Sequence, residues 1–132
     1  MYMLDTNICI FIMKQKPIGV IERLTAHDPE DICISSVTYA ELCCGVEKSR
    51  AKEKNRLALA LILAPIRIVS FDSPAAEEYG RIRAFLEQKG TPIGPMDGLI
   101  AAHARSRSMT VVTNNTREFQ RVPGLAVEDW TV

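Results

Sequence analysis

Three acidic residues, Asp5, Glu41 and Asp97, have the types and positions that could hold a metal ion. Asp5 ends an apolar run, where an ionised carboxylate is costly unless water, a helix end or a cation compensates it. Two unit charges about 4 Å apart repel by roughly 4 kcal/mol at an effective dielectric constant near 20, so clustered carboxylates need a shared cation. Oxygen-only ligand sets suit Mg²⁺, with Mn²⁺ as a substitute, whereas zinc would favour His or Cys. The three residues are therefore candidate metal ligands and catalytic residues.

A hard dication with few protein ligands is typical of phosphate-ester chemistry, because it binds phosphate oxygens, activates water and stabilises the leaving oxygen. Histidine chemistry is less well supported, since cleavage through a 2′-oxygen commonly uses a histidine pair and only His27 and His103 are present. A simpler interpretation also stands. Asp5 could merely cap the helix that follows it, and a chain with 16 acidic residues places several at strand ends in any α/β fold.

The elements that must position these residues alternate between strands and helices. This alternation predicts an α/β fold, with a mostly parallel twisted sheet of four to five strands in one doubly wound domain spanning residues 1–132. Apolar runs predict strands at residues 2–4, 32–34, 66–69, 109–113 and, at one edge, 125–127. Apolar periodicity and capping signals predict helices at residues 6–14, 17–27, 37–49, 57–63, 73–89 and 95–106.

Parallel strands would bring the three acids to one edge of the sheet. Asp5 follows the first strand, Glu41 lies in the helix after the second, and Asp97 opens the helix before the fourth. Sites in open α/β sheets form beyond the carboxyl ends of the strands, so we expect the three carboxylates to meet there. Thr6 and Asn7 would then cap the first helix in place of Asp5.

Composition limits the classes of partner. Sixteen basic residues balance 16 acidic ones, so no net field draws the chain to nucleic acid or membrane, and RNA binding would need a local patch. The basic run at residues 48–56 is either a solvated helix face or a surface that faces RNA or a partner. No apolar run approaches the 18 residues that a membrane span needs, and the N-terminus lacks a signal-peptide layout. We therefore expect a cytoplasmic protein.

Four ordered motifs resemble those of the VapC toxins, which are PIN-domain ribonucleases of type II toxin–antitoxin modules. They are residues 3–7 (MLDTN), 34–42 (ISSVTYAEL), 93–101 (IGPMDGLIA) and 111–119 (VVTNNTREF). The resemblance extends over nearly the whole chain and implies a PIN-like three-layer α/β/α sandwich.

The resemblance also implies roles for individual residues. Asp5, Glu41 and Asp97 match the acidic metal-binding residues of the family, and Thr113 matches a threonine that helps to hold the site. Asn7 and Ser36 would lie behind the metal ligands, although helix capping explains each equally well.

The fourth motif departs from the fuller family pattern. Many members have another acid two residues after the threonine, where this sequence has Asn115. An asparagine can ligate through its carbonyl oxygen but brings no charge, so a second metal would bind more weakly. Glu118 lies three residues further on, on the same helix face. It is either a replacement for the missing acid or a solvated helix residue.

The family resemblance implies a Mg²⁺-dependent endoribonuclease toxin that hydrolyses structured RNA with metal-activated water and inhibits translation. The expected substrate is tRNA, with the anticodon stem-loop of initiator tRNA the first choice, and the expected products carry 5′-phosphate and 3′-hydroxyl ends. The resemblance further implies a homodimer that is neutralised by a VapB-type antitoxin in a higher assembly, which contacts DNA only through the antitoxin and has no membrane partner.

Two alternatives remain open at the level of sequence. The first is a PIN fold that binds RNA or a protein partner but cleaves weakly or not at all, because the fourth acid is missing. The second is a small phosphatase in which Asp5 is the nucleophile, although the second aspartate expected two residues later is Asn7.

Overall fold

Five short parallel strands form the centre of the molecule. In the computed structural model, which describes residues 1–132, every neighbouring strand pair is parallel. The strand order is β3-β2-β1-β4-β5, so the predicted parallel sheet of four to five strands is confirmed. The strands are β1 (Tyr2–Leu4), β2 (Ile32–Ser35), β3 (Arg67–Val69), β4 (Thr110–Val112) and β5 (Val127–Glu128).

Helices cover both faces of the sheet, because neighbouring residues of the central strands point to opposite sides. Leu4 packs into a cluster with the helices of one face, whereas Met3 packs with those of the other. The first face carries α1 (Thr6–Lys14), α2 (Ile18–Ala26), α3 (Ser36–Lys48) and α4 (Lys52–Leu63). The second carries α5 (Ser73–Gln88), α6 (Pro95–Ser106) and the short α7 (Thr116–Phe119). This is the expected α/β/α arrangement.

Helix α4 begins earlier than its aliphatic stripe predicts. The basic run forms its first turns, and Arg56 bonds both Glu53 and Glu47. Lys, Glu and Arg are good helix formers, so the helix starts at Lys52 although its first turns are exposed. A helix boundary that lies in a polar stretch cannot be located from hydrophobic periodicity alone.

No helix combines the length and hydrophobicity needed to cross a bilayer.

Both histidines are structural in this fold. His27 stacks on Trp130 with ring centroids 5.0 Å apart, and the fully buried His103 places Nδ1 2.8 Å from Ser35 Oγ.

Candidate active site

Asp5 lies at the carboxyl end of the central strand, where the chain order switches between β2 on one side and β4 on the other. Its backbone N–H donates to the Val112 carbonyl at 3.0 Å, which continues the β1–β4 ladder by one bond. Its carboxylate is only 3% exposed, and Oδ1 accepts from the Ile8 N–H at 2.9 Å. Asp5 therefore caps α1 itself, and the prediction that Thr6 and Asn7 take over this role is wrong.

Thr113 follows β4 and holds the other oxygen of Asp5. Its hydroxyl donates to Asp5 Oδ2 at 2.5 Å and accepts from the backbone N–H of Asn115 at 2.9 Å. The parallel register places Leu4 beside Val112, so the next residue of each strand meets at the sheet edge. Thr113 thus positions the Asp5 carboxylate.

Asn115 joins the remaining acids of this edge. Its Nδ2 donates to Glu118 Oε2 at 2.6 Å and to Asp97 Oδ2 at 3.3 Å. Asp97 lies in the first turn of α6, and Glu118 lies in α7. The structure therefore brings Glu118 into the same cluster as Asp97, with Asn115 between them.

Glu41 enters the site from α3 through a hydrogen bond with Thr6 that the sequence does not predict. The Thr6 hydroxyl donates to Glu41 Oε1 at 2.5 Å, so Thr6 holds Glu41 beside the strand end that bears Asp5. The position of Thr6 directly after Asp5 is the sequence signal for this contact, but the same position also suits a helix cap.

Asn7 and Ser36 contribute little to the site. Asn7 acts only through its backbone, and Ser36 makes its hydrogen bond elsewhere. Asn7 is exposed in the first turn of α1, and only its backbone N–H acts on Asp5, by lowering its pKa. Ser36 Oγ accepts from the Phe71 N–H at 3.0 Å, which ties α3 to the chain after β3. The cap of α3 is Ser35, which accepts from the Val37 N–H at 3.1 Å.

The clustered carboxylates have no cationic partner. None of the ion pairs in the molecule includes Asp5, Glu41, Asp97 or Glu118. Burial raises the pKa of Asp5, against the lowering effect of the Thr113 hydrogen bond. Burial, together with the hydrogen bond and charge of Glu118, raises the pKa of Asp97 to about 7.

The acids are close enough to interact, but they do not form a ready-made metal cage. The negative charge of Glu41 raises the pKa of Asp5, and that of Asp5 raises the pKa of Asp97. No group of three Asp, Glu, His or Cys side chains is already arranged to hold a metal ion. Instead, hydroxyl and amide groups from Thr6, Thr113 and Asn115 bond the carboxylates.

Comparisons with known proteins identify the family of the chain. The profile of the PIN domain matches residues 2–125. A "tRNA(fMet)-specific endonuclease VapC" from Shigella flexneri is 50% identical over 130 residues, which cover 98% of each chain. A DNA-bound VapBC structure from Salmonella typhimurium matches with a TM-score of 0.93 at 48% identity, covering 98% of this chain and 97% of that one. VapBC2 from Rickettsia felis, bound to a promoter DNA fragment, has a TM-score of 0.91 at 42% identity and covers 98% of each chain.

These matches extend over nearly the whole chain, and the PIN-domain match at residues 2–125 includes all four motifs. Sequence similarity and fold similarity identify the same family. The chain therefore belongs to the PIN-domain family, and within that family to the VapC ribonucleases of VapBC toxin–antitoxin systems.

Proposed function

We propose that this VapC-type toxin cleaves structured RNA with Mg²⁺ held by Asp5, Glu41 and Asp97. The observation that carries the proposal is the Asp5 carboxylate, which is buried, close enough to Glu41 and Asp97 for their charges to interact, and without a cationic partner. A buried ionised carboxylate is costly unless a cation compensates it, and an all-oxygen set suits a hard dication. The donor set therefore fits Mg²⁺, with Mn²⁺ as a substitute.

The protein residues have separable roles in this proposal. Thr113 and the Ile8 N–H hold the two oxygens of Asp5 in place. Thr6 holds Glu41. When bound, the metal ion supplies positive charge to the phosphate and lowers the pKa of water.

In this proposal, Asn115 and Glu118 are the remaining polar residues of the metal site, next to Asp97 at the ends of α6 and α7. The Asn115 amide keeps Asp97 and Glu118 together while adding no charge of its own. In the proposal, Glu118 takes the part of the fourth acid that Asn115 does not provide. Both remain weaker candidates than the three primary acids.

The histidines support hydrolysis by water over attack by the ribose 2′-oxygen. His103 is fully buried against Ser35, and the ring of His27 stacks on Trp130. Neither is positioned to exchange protons with a substrate at the acidic cluster, so a histidine acid–base pair has no candidates there.

Substrate and partners are proposed from the relatives. The Shigella flexneri relative is named for tRNA(fMet), so we propose initiator tRNA as the substrate, cut in the anticodon stem-loop. Three similar solved structures are VapBC complexes, two of them with DNA. We therefore propose a VapB-type antitoxin as the partner, a toxin homodimer within a larger assembly, and DNA contact through the antitoxin.

Metal removal tests the proposal directly. The toxin, freed of antitoxin, is incubated with initiator tRNA and, as a control, elongator methionine tRNA, before and after treatment with EDTA. We expect cleavage of initiator tRNA to stop with EDTA and to return with Mg²⁺ or Mn²⁺, giving 5′-phosphate ends. Cleavage that persists in EDTA, or cyclic 2′,3′-phosphate ends, would contradict it. RNA binding without cleavage under every metal condition would instead support the alternative of a PIN-fold binding module.

Restoring the fourth acid should change metal affinity. Asn115→Asp adds a carboxylate between Asp97 and Glu118, which should lower the Mg²⁺ concentration for half-maximal cleavage on the order of ten-fold. The same variant should unfold at a lower temperature without metal, because three acids then repel one another.

The neighbouring exposed Asn114 offers a matched control. Asn114→Asp introduces the same charge one residue away and should leave both the Mg²⁺ dependence and the unfolding temperature near those of the wild type. Equal effects of the two variants would mean that Asn115 has no special place at the metal site.

A further inference from the structure

A partly open cavity of about 160 Å³ lies beside the acidic cluster, between α5 and the start of α6. The loop at residues 91–94 forms its rim. Its walls are mainly the apolar and ring-bearing side chains Tyr79, Ile82, Leu86, Pro92, Ile93 and Pro95. The cavity is not part of the acidic cluster, and none of the residues proposed to hold the metal lines it.

Gly98 allows the aromatic wall of this cavity to form. A Cβ atom at Gly98 would lie 3.1 Å from Tyr79 Cε1, which is too close for an undisturbed contact. With glycine, the Tyr79 ring can rest against α6. A side chain at position 98 would force the Tyr79 ring to shift away from α6 by a few tenths of an ångström.

Polar groups with donor and acceptor capacity stand at the rim. Arg83 Nη1 donates to Tyr79 Oη at 3.0 Å, and Arg83 Nε donates to Glu87 Oε1 at 3.2 Å. Arg121 Nη1 donates to the Pro92 carbonyl at 2.9 Å, which ties the rim to the segment after α7. The rim therefore offers a guanidinium and a carboxylate above apolar walls.

The cavity and Asp97 share the first turn of α6. Gly94 and Gly98 both line the cavity and flank Asp97 in sequence, and a Cβ at Gly94 would lie 3.8 Å from Asp97 Oδ2. A ligand held in the cavity would therefore be adjacent to any phosphate held at the acidic cluster.

Size and chemistry favour a single aromatic ring as the ligand. A cavity of about 150 Å³ is large enough for benzene. Single-stranded RNA is recognised through unstacked bases that lie on aromatic rings or guanidinium planes and whose edges form hydrogen bonds. From this geometry we infer that the cavity receives one unstacked nucleobase of the RNA, from a nucleotide that flanks the scissile phosphate. The inference rests on the proposed function, because it assumes that RNA occupies the acidic cluster.

A thermodynamic cycle between protein and RNA tests the inference. Affinity is measured by fluorescence anisotropy in EDTA, so that no cleavage is needed, with an RNA stem-loop in which each nucleotide near the cut site is made abasic in turn. We expect Tyr79→Leu to weaken binding of the intact RNA on the order of ten-fold, as stacking on one aromatic side chain typically does. At one flanking position, the abasic RNA should bind wild type and Tyr79→Leu equally.

Helix α5 supplies a matched control. Phe85 carries the Lys89 ammonium 5.1 Å from its ring centroid, much as Tyr79 is paired with Arg83, but Phe85 does not line the cavity. Phe85→Leu should leave affinity and the abasic profile unchanged. Arg83→Ala, at the exposed rim, should lose affinity for the intact RNA but not for the RNA that is abasic at the same position as for Tyr79→Leu. This variant replaces Tyr79→Leu in the test if Tyr79→Leu does not fold.

The outcomes separate this inference from the proposed function. If wild-type toxin cleaves with Mg²⁺ but no abasic position couples to Tyr79 or Arg83, the base-binding inference is wrong and the ribonuclease proposal stands. If wild type shows the coupling but does not cleave with any metal, the ribonuclease proposal fails alone. A change of molar mass in Tyr79→Leu, measured by light scattering, would show that a second copy of the chain fills the cavity, and would overturn the inference.

Discussion

Asp5→Asn should abolish RNA cleavage and, at the same time, make the metal-free protein more stable. The loss of activity should be on the order of 1,000-fold or more, because a catalytic metal contributes several kcal/mol to transition-state stabilisation and each 1.36 kcal/mol is a factor of ten in rate. Initial cleavage rates of initiator tRNA at saturating Mg²⁺ measure the first effect. Thermal unfolding in EDTA measures the second.

The gain in stability follows from the pKa of Asp5. Burial raises that pKa, so the folded state holds the Asp5 proton more tightly than the unfolded state does. Stability from this group is fully present below its unfolded pKa of 3.8 and is lost as pH rises through the folded pKa. Asparagine removes the buried charge, keeps an oxygen for the Ile8 N–H and can donate to Thr113. We expect its unfolding temperature at pH 8 to exceed that of wild type by roughly 2 °C or more.

Two further variants make this result specific. Asp5→Ala also loses the cap of α1, at a cost of about 1 kcal/mol, so it should be less stable than Asp5→Asn but equally inactive. Asp72 caps α5 through the Ala75 N–H at 3.2 Å, away from the acidic cluster. Asp72→Asn should keep wild-type cleavage. Cleavage by Asp5→Asn within ten-fold of wild type would remove Asp5 from the metal site.

The fold could be predicted from sequence because its information is local. Apolar runs such as those at residues 2–4 and 32–34, with helix signals between them, indicate a parallel sheet whatever the details of packing. Boundaries were less accurate where polar residues continue an element. Helix α4 begins at Lys52, before the predicted residue 57. Strand β5 is Val127–Glu128, whereas residues 125–127 were predicted. Its position is set by pairing with Val111 and Val112 of β4 and not by the apolar content of the segment.

The site could be predicted only in part, for a different reason. Once β1 and β4 pair in parallel, the end of each strand places Asp5 beside Thr113. The family motifs identify Glu41 and Asp97 as the other candidate acids. The contacts of Thr6 with Glu41 and of Asn115 with Glu118 depend on side-chain direction after the strands end. Periodicity carries no information about that direction. Asp5 is both a helix cap and a member of the acidic cluster. This double role depends on the partners of its two oxygens, which are the Ile8 N–H and the Thr113 hydroxyl, and the sequence does not show those contacts.

Metal binding by the toxin should depend steeply on pH because of Asp97. Its pKa is raised to about 7, first by burial and then by the hydrogen bond and charge of Glu118. A metal ligand must lose its proton before it binds. We therefore expect the Mg²⁺ concentration for half-maximal cleavage to be about ten-fold higher at pH 6 than at pH 8, and to change little between pH 8 and pH 9.

The metal-free protein should show the opposite preference. Between the ordinary Asp pKa of 3.8 and the raised value of about 7, the folded state binds a proton that the unfolded state releases. The free energy of unfolding should therefore fall as pH rises through that window. Saturating Mg²⁺ should reduce this dependence, because the ion takes the place of the proton in the folded state.

Two substitutions show whether Asp97 causes both effects. Asp97→Asn should reduce the cleavage rate about 100-fold or more. It should also weaken the pH dependence of unfolding in EDTA, because the proton of Asp97 is removed and only the smaller contribution of Asp5 is left. Glu118→Gln removes the negative charge next to Asp97, and this removal should lower the pKa of Asp97. The free energy of unfolding of this variant should therefore fall with pH at the wild-type slope, but over a window shifted to lower pH. If Asp97→Asn retained the wild-type pH dependence of unfolding, the linked proton would belong to another group, and the acid-sensitive metal affinity would have to be assigned to Asp5.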